Sequence, residues 1–89
     1  MKYALLNKYA NNAVTSKHRS VKGMVKALIK MRRQLYNTTD NQNCIPPWIY
    51  GVWDEDKACY VPVQTDFHTG LQEVIWSYEQ TFTHGGTKL

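Results

Sequence analysis

Residues 48–63 read WIYGVWDEDKACYVPV. β-branched and aromatic residues fill both ends of this stretch, and Asp54-Glu55-Asp56-Lys57 separates them, which is the composition of two strands joined by a polar reversal. The spacing predicts strands over 48–53 and 58–63. Pairing Trp53 with Ala58 puts Trp48, Tyr50, Val52, Cys59, Val61 and Val63 on one face of the hairpin. Ile49, Gly51, Trp53, Ala58, Tyr60 and Pro62 fall on the other, with Trp53 and Tyr60 diagonal to one another beside Gly51. Pro62 has no N–H to give to a ladder, so its strand belongs at an edge or ends there.

Downstream of the hairpin the period changes from two to helical. Leu71, Val74, Ile75, Tyr78 and Phe82 form one apolar stripe. Asp66 or Thr69 is available as N-cap, Gln72 stands in the capping-box position relative to Thr69, and His84-Gly85-Gly86 is a stop. Trp76 points about 140° away from Leu71 on a helical wheel, outside the stripe. Upstream, residues 37–47 form a loop rich in Asn, Thr and Asp, closed by Ile45-Pro46-Pro47.

Before that loop lies a second helical pattern of about 16 residues, with Ser20 as its N-cap. Val21, Met24, Leu28, Met31 and Leu35 share an arc that Val25, Ile29 and Tyr36 widen. Lys22, Lys26, Lys30 and Arg33 lie within about 80° of one another, roughly opposite the apolar centre. Arg32 falls nearer the apolar edge, where its guanidinium has to snorkel. At the start of the chain, residues 3–9 and 13–17 have strand composition, and Ala10-Asn11-Asn12 is a turn in which Asn tolerates left-handed backbone.

The expected architecture is a single α+β domain over residues 1–89: a small antiparallel sheet with two helices packed on it, in the order ββαββα, or βαββα without the first hairpin. An offset of 50 aligns the two apolar stripes, Val21 with Leu71 and Met24 with Val74, but with negligible identity.

Charge is distributed unevenly. Nine Lys or Arg and no acid precede Asp40, whereas seven acids and only Lys57 and Lys88 follow, so halves of +9 and −5 make the net +4. Within the first helix the like charges at i, i+4 are unrelieved by any acid, although mixed signs stabilise a solvated helix better. Such asymmetry points to a polyanionic partner, or to pairing between halves or subunits.

Other classes find less support. No run is long and apolar enough to span a bilayer, and the first residues lack a secretory pattern, which sets a cytoplasmic expectation. Cys44 and Cys59 are expected as reduced thiols, with Cys59 facing inward. They and His18, His68 and His84 have no metal-ligand spacing, and no nucleophile has a base beside it in sequence. Asp54-Glu55-Asp56 reads as a solvated tip that discourages edge pairing. No catalytic residue, cofactor or metal is expected.

The expected function is non-enzymatic binding of nucleic acid, or of a complex that bears it, through the basic helix. Lys22, Lys26, Lys30 and Arg33 would follow phosphates, with Lys17 and Arg19 extending the track, and without base-reading side chains the contact would be non-specific or shape-directed. Trp53 and Tyr60 are candidates for base stacking, and Trp76 for an interface anchor. The alternative is a small protein-directed inhibitor or adapter of the counter-defence kind that phages and mobile elements encode, anti-CRISPR-like in size and in its lack of catalytic residues. A structural homo-oligomer held by the oppositely charged halves is the third expectation.

Overall fold

The computed structural model describes residues 1–38 and 46–82, with the side chains of 36–38 left out. Strand β1 (Tyr3–Asn7) and strand β2 (Ala13–His18) form a first hairpin, followed by helix α1 (Val21–Thr38). Strands β3 (Trp48–Asp54) and β4 (Cys59–Pro62) form a second, followed by helix α2 (Thr69–Gln80). The four strands make one antiparallel sheet in the order β2-β1-β3-β4, so two ββα units meet along the β1–β3 ladder. The order ββαββα is thus the observed one.

Asparagine chemistry makes the first reversal. The Asn7 side chain accepts a hydrogen bond from Tyr9 N at 3.0 Å, residues 8–10 form a 3-10 turn, and Asn11 and Asn12 take left-handed backbone at φ 55° and 60°. Pairing then runs Tyr3↔His18, Ala4↔Lys17 and Leu5↔Ser16, with a bulge that leaves Thr15 over before Leu6↔Val14.

The second hairpin differs from its expected register by two residues. Trp53 pairs with Tyr60 and Asp54 with Cys59, not Trp53 with Ala58. The cause is the Asp54 carboxylate, which accepts from Asp56 N and Lys57 N, and residue Ala58 at φ 52°, which together spread the reversal over residues 55–58. A shift of two preserves the parity of the faces, so Trp53 and Tyr60 still share a face but are direct partners, not diagonal ones. Pro62 is both on an edge strand and at its end.

The helices cover one face of the sheet. Met24, Val25, Leu28 and Ile29 of α1, Leu5 of β1 and Ile75 of α2 form the core, with Tyr3, Trp48, Tyr50 and Val63 packed around them. Each such fully buried large side chain contributes about 1.5–3 kcal/mol. Ser20 caps α1 by accepting from Gly23 N at 3.1 Å. The helix is two residues longer than its pattern predicted, and its burial is deepest in the N-terminal half, with Met31 and Leu35 only half-buried.

Helix α2 packs chiefly on α1 and reaches the strands less, so a narrower stripe is covered than expected. Ile75 is fully buried, while Val74 is 44% exposed. Neither Asp66 nor Thr69 caps the helix. His68 occupies the N-cap without a side-chain cap bond, its ring accepting instead from Gln64 N at 3.0 Å, and Thr69 Oγ1 donates to Thr65 O. Cys59 is a free thiol and is exposed, not inward, because it opens edge strand β4 beside the hairpin tip. Cys44, the middle of the 37–47 loop and the His84-Gly85-Gly86 stop lie outside the described residues.

The uncovered face of the sheet is held by one close contact. Leu6, completely buried, lies over Gly51, where an added Cβ would stand 2.7 Å from Leu6 Cδ1 and 2.8 Å from Cγ. Gly51→Ala is therefore expected to cost about 1–3 kcal/mol in urea denaturation. A change below about 0.5 kcal/mol would mean that Leu6 turns aside freely.

Candidate nucleic-acid interface

The two-layer architecture distributes the sequence-predicted site residues over three surfaces. Because α1 buries Met24, Val25, Leu28 and Ile29 against the sheet and α2, its opposite side is turned to solvent, and Lys22, Lys26 and Lys30 are exposed there. Successive members of that row are about 6 Å apart along the axis. Arg19, exposed in the bend before α1, extends the row at its start. Among the described residues no carboxylate forms an ion pair with Lys22, Lys26 or Lys30. Arg33 is half-buried and engaged within the fold, so it belongs less to the free ridge than its wheel position implied.

Arg32 is half-buried, as snorkelling requires. It lines a cavity of about 270 Å³ with Leu28, Trp48, Tyr50 and Gln72. The Tyr50 hydroxyl there is buried. Its ionisation is pushed well up, first by burial and then by the Glu79 carboxylate nearby, against a smaller opposing pull from Arg32.

Lys17 leaves the helix group altogether. It sits on the sheet face opposite the helices, in one cross-strand row with Ala4, Gly51 and Pro62. The neighbouring row carries Trp53 and Tyr60, and Trp53 N donates to Lys2 O at 2.8 Å. Ala4 and Gly51 are both buried in that row. Across them the Lys17 ammonium comes within 6.0 Å of the Tyr60 ring centroid. Trp53 and Tyr60 meet edge to face with centroids 5.0 Å apart, and the Tyr60 hydroxyl donates to Met1 O. Met1, Lys2, Lys17, Trp53, Glu55 and Tyr60 thereby line an open concavity of about 680 Å³.

Sequence reasoning missed Lys2, Ala4 and Glu55 as members of this surface. The period-two alternation of residues 2–6 carried the signal for the first two, but β1 had to be paired with β3 before it could be used. Trp76 stands apart on the outer side of α2, 53% exposed, as its wheel position predicted.

Among the described residues, the groups considered for catalysis, His18, His68 and Cys59, do not assemble. His18 Nε2 lies 2.7 Å from Ser16 Oγ on β2, His68 is held by Gln64, and Cys59 is on the opposite edge strand. Among the described residues no cluster of His, Cys, Asp or Glu could hold a metal, and no helix is long and apolar enough to cross a membrane. No protein-family model, curated protein or solved structure matches the chain significantly.

Burial lowers the His18 pKa from its ordinary 6.5. The neutral ring is favoured in the folded state, so its contribution to stability is present above pH 6.5 and is lost as the pH falls through the depressed folded value. Denaturation midpoints between pH 7.5 and 5 should therefore fall less in His18→Gln than in the parent, and parallel curves would contradict the shift.

Proposed function

We propose that this protein is a non-enzymatic binding protein whose partner is nucleic acid, or a complex that bears it, engaged through the outer ridge of α1. The observation that carries the proposal is the row Arg19, Lys22, Lys26 and Lys30, each of them exposed, with its three lysines free of ion pairs among the described residues. Like charges at i, i+4 cost a helix a few tenths of a kcal/mol per pair, and nothing described in the chain offsets it. A polyanion laid along the ridge would offset it through contacts to several phosphates at once. Lysines at this spacing act as point charges, so the contact positions a backbone and does not read bases.

Exposure of Trp76 and Val74 on α2 favours a second reading, a protein-directed inhibitor or adapter with Trp76 as its anchor. That reading requires a protein partner that survives nuclease treatment and is lost with Trp76→Ala.

Four phosphate contacts predict a log–log salt slope of about −3.6 for binding to duplex DNA, measured by mobility shift or anisotropy. Each single Lys→Ala change at position 22, 26 or 30 should make the slope shallower by about 0.9. Lys26→Glu together with Lys30→Glu should abolish the shift without altering the melting temperature. No binding at low salt by the parent protein overturns the proposal.

A further inference from the structure

The sheet face turned away from the helices carries a second surface, made of different residues. Met1, Lys2, Lys17, Trp53, Glu55 and Tyr60 enclose a depression there, beside the buried Ala4 and Gly51 of the adjacent strands. Trp53, 39% exposed, and Tyr60 rise along one side with their rings packed edge to face, and the Tyr60 hydroxyl donates to Met1 O. Lys17 of β2 and Lys2, just before β1, both line the depression, with Glu55 as the carboxylate among its lining residues. A partly exposed indole packed on a second ring, with two lysines and one carboxylate around an open concavity, suits a ligand that is planar, apolar on its faces and anionic along its length.

We propose that this face binds single-stranded nucleic acid, with an unpaired base stacked on the exposed face of Trp53 and the flanking phosphates held by Lys17 and Lys2. The choice of ligand rests on the nucleic-acid reading of α1, but the residues do not overlap with that ridge. A duplex cannot use this site, because its bases are already stacked on one another and offer no free face. An aromatic platform takes any unpaired base, since every base has a π face, and so the site is tolerant of sequence. The two layers of the protein thus divide the work: the α1 ridge follows phosphates of any strand, while the sheet face admits only bases that are out of a helix.

The test compares a thymidine oligomer of about 12 nucleotides, an abasic oligomer of the same length, and a short duplex, each followed by fluorescence anisotropy at low salt. The parent protein should bind the thymidine oligomer more tightly than the abasic one. Trp53→Ala and Lys17→Ala should each weaken the thymidine complex roughly tenfold while leaving duplex affinity and the melting temperature unchanged. Trp53→Leu, which keeps apolar bulk but has no π face, gives the same loss if Trp53→Ala folds poorly. Lys26→Glu with Lys30→Glu should remove duplex binding and spare the difference between thymidine and abasic oligomers. Equal affinity for the abasic oligomer, equal competition by poly-glutamate, or unchanged binding in both Trp53→Leu and Lys17→Ala overturns the proposal. Duplex binding without thymidine binding defeats this site and leaves the α1 reading standing, whereas absence of both defeats the two together.

Discussion

Three consecutive residues of β1, Ala4, Leu5 and Leu6, are completely removed from solvent, although only one face of the sheet carries helices. Leu5 is covered by α1 and α2 in the ordinary way. Leu6 points to the other face and is buried because Gly51, one strand over, has no side chain to hold it up. The rest of the structure depends on this close approach. It lies on the β1–β3 ladder that joins the two ββα units and that continues in the bond from Trp53 N to Lys2 O. A side chain at position 51 would disturb the junction of the halves and the shape of the open face at once.

The sheet separates two surfaces of different chemistry. Along α1 the free groups are ammonium and guanidinium ions, with no aromatic ring among Arg19, Lys22, Lys26 and Lys30. On the sheet face opposite the helices two rings pack edge to face beside Lys2 and Lys17. The first arrangement favours extended charge and the second favours a planar group with charge beside it. Both edges of the sheet are guarded against pairing with other chains, β2 by its bulge at Thr15 and β4 by its shortness and Pro62.

Much of this was legible in sequence because period and turn chemistry are local. Asn11 and Asn12 marked the first reversal, Ser20 marked the start of α1, and the parity of residues 48–63 assigned Trp53 and Tyr60 to one face. The errors share a cause. The register of β3–β4 was displaced by two because the Asp54 carboxylate binds backbone amides within the turn, and composition does not show which amides it will take. The cap of α2 was misplaced because His68 folds back onto Gln64, and Val74 was taken for core because a wheel shows a stripe but not how wide a neighbour will cover it.

The sequence by itself determined the α+β class, the row of lysines on α1 and the place of Trp76 outside the apolar stripe of α2, since all of these follow from spacing along one segment, whereas it left the order open between ββαββα and βαββα. Only the tertiary structure decided which lysine belongs to which surface. Lys17 is two residues before Arg19 and reads as part of the same basic run, yet strand alternation turns it to the open face while Arg19 leads into the helix on the other side. Tyr60, which its ammonium approaches, and Ala4 and Gly51, which share its cross-strand row, come from three other strands. Long-range pairing brings them together through the β1–β3 ladder and the contact of Leu6 with Gly51, and periodicity within a single segment contains no information about which strands will be neighbours.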